Sequence, residues 1–246
     1  MKINIDNFKE VLKKATINNI ISTVQLKFIG GKITSSMISN DNNAISILNI
    51  DNDVLDTNDE VDFNFLEPAQ EVTPYLNIFD NNEVNIKIQK NKIVLNDKNQ
   101  QSRINFCSPI IVTLFGKTDV KKDAHWFFET DIDEEFIKAY NKIKKIGSKF
   151  GRVYFDISNG KFIIETADKT NEFSNGLKIV LSDAKDVKDR NLCFLYTDLT
   201  SIMKVITESN KDFKIKFTYN EKQELGLLYV YSKDDSEKYC LFSMRE

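Results

Sequence analysis

The sequence predicts an α+β protein built from four copies of one strand–helix–hairpin unit, grouped as two similar domains. Three observations carry that expectation. Short alternating strands begin near residues 3, 61, 126 and 192, and one amphipathic helix follows each. Two further alternating strands follow each helix, with turns near residues 30, 90, 159 and 220. The resulting period of roughly 60 to 65 residues organises the whole chain and not one local motif.

The first copy opens with a strand over Lys2 to Ile5, and Asp6 stands where it can cap a helix over Asn7 to Asn19. Phe8, Val11, Leu12 and Ala15 make the apolar face of that helix. Thr23–Ile29 and Lys32–Ser39 flank Gly30-Gly31, a pair that permits a tight hairpin turn, and Ala44–Ile50 follows a polar loop. In the second copy Val61–Phe65 precedes a helix-like stretch over Glu67 to Phe79. Pro68 suits its first turn, whereas Pro74 predicts a kink because proline has no N–H to donate. Alternation over Val84–Ile88 and Ile93–Leu95 gives a hairpin, and Ser102–Cys107 and Ile110–Phe115 are further extended segments.

The third copy begins at Trp126–Thr130 and contains the best-defined helix, Asp133 to Phe150. At about 100° per residue, Phe136, Ala139, Tyr140, Ile143 and Ile146 fall on one side of it, and Lys138, Lys142, Lys145 and Lys149 on the other. Acidic residues lead and lysines trail, which complements the helix dipole. Arg152–Ile157 and Phe162–Thr166 flank an Asn159-Gly160 turn, and Gly176–Leu181 comes later. The fourth copy runs from Leu192–Tyr196 through a helix over Asp198–Ser209 to strands Phe213–Tyr219, Leu225–Tyr231 and Lys238–Met244.

The domains expected from this pattern are 1–117 (repeats near 1–60 and 61–117) and 126–246 (repeats near 126–190 and 191–246), joined by a polar segment over 118–125. Each repeat offers one helix with one apolar face against several half-buried strands. Helices of that kind dock on the same side of a sheet, so four polar helix faces are expected on the inner face of a curved antiparallel sheet.

Composition narrows the function classes. The chain has 246 residues and a net charge of −3, so no global excess of positive charge announces a nucleic-acid partner. Residues 1–120 hold 12 Lys and Arg against 15 Asp and Glu, while residues 121–246 hold 22 of each. Local basic faces on an acidic body remain compatible with that balance. Cys107, Cys193 and Cys240 lie far apart in apolar runs, which fits reduced core thiols and a cytoplasmic or nuclear setting. No apolar stretch is long enough to span a bilayer, so no membrane partner is expected.

Motifs for catalysis or cofactors fail on inspection. Gly116-Lys117-Thr118 has the tail of a phosphate-binding loop, but Ile111 stands where its first glycine belongs. The acidic run from Asp51 to Asp62 has the composition of a calcium loop, with Leu55 and Asp56 at places that need an acceptor and a glycine. His125 is the only histidine and is assigned a structural role beside Trp126. No enzyme activity, metal or cofactor is expected.

With the repeat in hand, the chain resembles the two-domain DNA sliding clamps, the family of proliferating cell nuclear antigen and its viral and phage relatives. The segment Ser39-Asn40-Asp41-Asn42-Asn43-Ala44-Ile45-Ser46-Ile47-Leu48 is similar to the family's pattern after its first hairpin. Lys238-Tyr239-Cys240-Leu241 resembles its terminal strand, and Asn175-Gly176-Leu177-Lys178-Ile179-Val180-Leu181 resembles an edge strand of its second domain. The chain departs from the family at Ser243-Met244-Arg245-Glu246, which lacks the usual proline and acidic tail.

The resemblance implies a non-enzymatic homotrimeric ring threaded by duplex DNA without sequence preference. It also implies a DNA polymerase and a clamp loader as partners. Lys9, Lys13, Lys138, Lys142, Lys145, Lys149, Lys204 and Lys211 would face DNA. Arg103, Phe106 and Ile110 of one subunit would meet Leu177, Ile179 and Leu181 of the next. A partner peptide would dock near Asn40, Ala44, Ile45, Ile47 and Met244. Two alternatives stay open at this point: a monomeric or dimeric processivity factor that binds DNA without closing, and a structural β-repeat protein whose lysines are solvated.

Overall fold

The structure, a computed structural model, describes residues 1–57, 59–116, 125–171 and 175–244. The expected connecting segment therefore lies outside the described residues except for His125, as do Lys117 and Thr118 of the phosphate-loop tail and the terminal Arg245 and Glu246. The chain divides into two compact units, Met1–Thr118 and Asp119–Glu246.

In the first unit the order is β1 (Lys2–Asn4), α1 (Ile5–Ala15), β2 (Thr23–Ile29), β3 (Lys32–Ile38) and β4 (Ala44–Asp51). It continues as β5 (Val61–Leu66), α2 (Pro68–Glu71), α3 (Thr73–Leu76), β6 (Glu83–Gln89), β7 (Lys92–Asp97) and β8 (Gln100–Asn105). The second unit repeats that order: β9 (Trp126–Asp131), α4 (Glu134–Phe150), β10 (Arg152–Ser158), β11 (Lys161–Thr166) and β12 (Leu177–Asp183). It ends with β13 (Arg190–Leu195), α5 (Tyr196–Glu208), β14 (Phe213–Asn220), β15 (Leu225–Ser232) and β16 (Glu237–Phe242). The described elements thus give strand, helix, three strands four times over, with the helix of the second copy split into α2 and α3.

The repeats are not independent layers. Within each unit the first strand of one repeat pairs with the other repeat's hairpin. β1 pairs β6 with Ile3 opposite Val84, and β5 pairs β2 with Phe63 opposite Leu26. Likewise β9 pairs β14 with Phe128 opposite Phe217, and β13 pairs β10 with Phe194 opposite Val153. The first unit therefore carries the orders β1-β6-β7-β8 and β5-β2-β3-β4, and the second β12-β11-β10-β13 and β16-β15-β14-β9. All these pairings are antiparallel. This exchange leaves neither repeat of a unit with a complete sheet of its own, so the unit folds as one body.

Aromatic side chains fill both interiors. In the first unit Phe63 touches Phe8, Phe28, Phe65 and Phe106, the last stacked at 5.4 Å between ring centres. In the second, Phe155 contacts Phe136 of α4, Phe162 of β11, Phe194 of β13 and Phe217 of β14. Each fully buried ring contributes roughly 1.5–3 kcal/mol by leaving water.

Three helix expectations are corrected. The first helix is capped by Asn4, whose side chain accepts from the Asn7 N–H at 3.0 Å, and not by Asp6. It stops at Ala15 because Ile17, Asn18 and Asn19 take left-handed backbone angles (φ 47°, 49° and 78°). The Glu67–Phe79 stretch breaks into two single turns at Val72 (φ −121°, ψ −55°), where Pro74 offers no N–H to extend the first turn. The fourth helix starts at Tyr196, two residues before Asp198. In addition Ile110–Phe115 is not a strand. Pro109–Ile111 is a 3-10 turn, after which Leu114 makes a single bridge to Met37.

Candidate nucleic-acid interface and partner surfaces

Helix α4 is the most strongly charged element. Asp133 caps it, accepting from the Phe136 N–H at 2.8 Å, and Gly151 ends it in a left-handed conformation (φ 69°). Its buried stripe is Phe136, Ala139, Tyr140, Ile143 and Gly147. Ile146, expected in that stripe, is 37 % exposed. Lys138, Lys142, Lys145 and Lys149 recur at spacings of four, three and four residues on the opposite side, and all are exposed. Lys138 pairs with Glu134 at 2.7 Å, whereas Lys142, Lys145 and Lys149 have no ion pair among the described residues. Lys144, absent from the sequence-based set, is exposed on the flank and equally unpaired.

Packing against α5 fixes the orientation of this lysine stripe. The Tyr196 ring lies over Gly147, where an added Cβ would stand 2.6 Å from a ring carbon. Its hydroxyl donates to the Lys144 carbonyl at 3.0 Å, and Tyr140 donates to Thr200 Oγ1 at 3.0 Å. Burial pushes the Tyr140 hydroxyl up to about 12, so it acts as a permanent donor. Lys204 is exposed on α5 without an ion pair among the described residues.

The remaining lysines of the sequence-based set have other neighbours. Lys9 is half-buried and pairs with Asp6 at 3.4 Å, and Lys13 is half-buried in the last turn of α1. Lys211 lies beyond α5, where it donates to Asp234 Oδ2 and Ser236 Oγ, both at 2.6 Å. Burial alone would raise the Asp234 carboxyl, yet Lys211 and the Ser232 and Ser236 hydroxyls hold it well below the usual carboxylate range. Lys211 thus fastens the β15–β16 turn. No lysine falls on α2 or α3, which expose Gln70, Glu71 and Tyr75 instead.

Among the strands that end a sheet order, β8 closes one order of the first unit and β12 one of the second. On β8 Arg103 is exposed and donates to Gln101 Oε1 at 3.2 Å. Phe106 is half-buried against Phe63 and Phe65, and Ile110 is 93 % exposed. Along β12, Leu177, Ile179 and Leu181 are half-buried while Lys178 and Val180 project into solvent. Unpaired edges of this kind are ready to accept another strand.

The residues expected at a peptide pocket separate. Ala44, Ile45 and Ile47 are buried and act as core side chains, so they do not form an open pocket wall. Asn40 is exposed, donating to Ser22 Oγ at 3.2 Å and accepting from Thr113 Oγ1 at 3.3 Å. Met244 is half-buried, and its N–H donates to the Cys193 carbonyl at 2.8 Å. The second unit itself contains a groove of 480 Å³ lined by His125, Thr218, Tyr219, Leu225, Leu227 and Phe242 among others. Arg190 holds one wall by pairing with Glu221 and lying 5.1 Å over the Tyr219 ring. Reading His125 only as a structural residue missed this groove, because its walls come from strands almost 100 residues further along.

Reactive groups are sparse. Burial raises the Cys107 and Cys240 thiols, which keeps them protonated and unreactive at neutral pH. Among the described residues no three metal-binding side chains converge.

Comparison with known proteins fits this architecture. Solved structures match along the whole chain. Proliferating cell nuclear antigen from A. fulgidus, bound to the C-terminal region of FEN-1, superposes with a TM-score of 0.67 at 14 % identity, covering 100 % of this chain and 98 % of that one. A PCNA2–PCNA3 complex from Sulfolobus tokodaii gives 0.63 at 13 % identity with complete coverage of both chains. The DNA polymerase sliding clamp of Bacillus subtilis gives 0.69 at 12 % identity, covering 100 % of this chain and 64 % of its own. The chain therefore has the DNA sliding-clamp fold. Its sequence matches no protein-family model and no curated protein.

Proposed function

We propose that the chain is a DNA sliding clamp, a non-enzymatic processivity factor that encircles duplex DNA and tethers a polymerase. The observation that carries this reading is the lysine stripe of α4 in a clamp-type fold. Lys142, Lys145 and Lys149 are exposed and unpaired, so each can approach a phosphate without first breaking an ion pair. Lysine–phosphate contacts give attraction without base readout, which is what sliding requires. The ring would be a homotrimer closed by pairing β8 of one subunit with β12 of the next, a head-to-tail interface that removes both open edges. The groove beside His125 and Phe242 would receive an apolar or aromatic segment of the polymerase. A clamp loader would open the ring.

The test is retention on DNA after loading. A closed ring stays on circular duplex and runs off once the circle is linearised. Equal retention on both forms would overturn the ring. Sedimentation then separates a trimer from an open monomer or dimer.

A further inference from the structure

The sheet β1-β6-β7-β8 has one face in the core and one in solvent. Val84, Ile86, Ile93, Leu95 and Ile104 are buried on the core side, so the residues between them along each strand belong to the other face. Register fixes how those residues line up. Asn96 lies between Asn85 and Gln101; in the next row Val94 lies between Lys87 and Arg103, and in the third Lys92 lies between Gln89 and Asn105. These nine positions hold three cations, five amides and one valine, with no carboxylate and no aromatic ring. They belong to the half of the chain in which acids outnumber bases, 15 to 12.

Lysines on other strands face a carboxylate across the sheet. Lys32 pairs with Asp51 and Lys161 with Asp183, while Lys214 and Lys216 share Glu129. Lys87, Lys92 and Arg103 have no ion pair among the described residues. Arg103 donates to Gln101 Oε1 at 3.2 Å and Gln101 to Asn96 Oδ1 at 2.7 Å, so the amides orient the guanidinium without neutralising it. Glu83, near the start of β6, is taken by Lys2 at 2.9 Å. Val94 is 8 % exposed although it points outward. The stems of Lys87 and Arg103, one strand away on either side, are long enough to cover it while their charged heads stay in water.

We propose that this face is a contact surface for the phosphate backbone of duplex DNA, separate from the α4 stripe and blind to base sequence. Neighbouring strands lie about 4.8 Å apart, so Lys87 and Arg103 stand about 10 Å apart, near the Debye length, and act on a polyanion as one field. Arginine, lysine, asparagine and glutamine all bond phosphate oxygens, and a face without carboxylates adds no repulsion. A face without aromatic rings gives unpaired bases nothing to stack on, which favours a duplex over a single strand. An acidic peptide would have to be ordered to match the rows, whereas a duplex brings its phosphates already fixed. The proposed ring holds DNA against helices, so this face would meet duplex outside it. That consequence rests on the ring; the contact itself does not.

Binding of a short linear duplex, followed by fluorescence anisotropy as salt is raised, tests the surface. Lys87→Gln with Lys92→Gln should lower the slope of log affinity against log salt by about 1.8, two phosphate contacts at about 0.9 each. Lys87→Arg with Lys92→Arg keeps both charges and should keep the wild-type slope. The glutamine pair is then repeated in a background of Lys142→Gln, Lys145→Gln and Lys149→Gln, where the remaining slope should again fall by about 1.8. If α4 does not meet DNA, that background alone keeps the wild-type slope while the sheet pair still lowers it, so the two readings fail separately. An unchanged slope in the glutamine pair in either background, no duplex binding left in the α4 background, or an equal fall in the arginine pair would overturn the surface. So would a loss of poly-L-glutamate binding with duplex binding intact, which assigns the face to an acidic polypeptide. Urea unfolding reports whether each variant is folded. If the glutamine pair is not, Lys87→Thr with Lys92→Thr takes its place with the same expected loss, since threonine suits a strand surface.

Discussion

Helix α4 and the pair α2/α3 occupy the same place in two copies of one repeat, yet they make opposite surfaces. α4 runs 17 residues between an aspartate cap and a left-handed glycine. α2 and α3 manage four residues each, with prolines in both and no side-chain cap on either. α4 presents a stripe of lysines; α2 and α3 present Gln70, Glu71 and Tyr75. Position in a repeat thus decides where a helix packs. Its length and charge are set by local chemistry, here two prolines and a lysine spacing.

The largest expected break in this comparison is charge reversal on α4. Replacing Lys142, Lys145 and Lys149 together by Glu should weaken DNA association at 0.15 M salt by roughly two orders of magnitude and flatten the salt dependence by about 2.7 in slope. Oligomeric state by sedimentation should not change. Loss of assembly with intact DNA binding would place these lysines at an interface instead.

Next in size is the joint that aims the stripe. Gly147→Ala puts a methyl against the Tyr196 ring and should cost about 1–3 kcal/mol in urea unfolding. Wild-type stability in that variant would show that the ring moves aside freely. The smallest effect sharpens the contrast from the other side. Asn77→Lys places a cation at the end of α3 and should steepen the salt slope of DNA binding by at most about 0.9, with little change in stability. An unchanged slope would mean that α3 does not face the phosphates.

Much of this was legible because it is periodic. The four repeats, the aromatic core faces and the burial of Phe136, Ala139, Tyr140 and Ile143 follow from spacing alone. The open edges at Gln100–Asn105 and Leu177–Asp183 overlap segments that the resemblance had singled out. Illegible features depend on partners far away in the chain. Gly147 replaces Ile146 in the buried stripe because Tyr196, 49 residues on, needs the space. Lys211 has the same sequence surroundings as a solvated lysine, and only the fold brings Asp234 to it. Ala44, Ile45 and Ile47 alternate poorly because the strand that holds them is buried on both faces, a pattern that periodicity cannot separate from a pocket lining.

The sequence by itself determined the fourfold order of elements and the face of α4 on which its lysines stand, because both depend on residue spacing within one element. The exchange of first strands between repeats was decided only by the tertiary structure. So was the division of the described lysines into paired and unpaired. Each of these depends on which segments meet, and hydrogen bonds and ion pairs across a sheet act over a few ångströms whatever the separation along the chain.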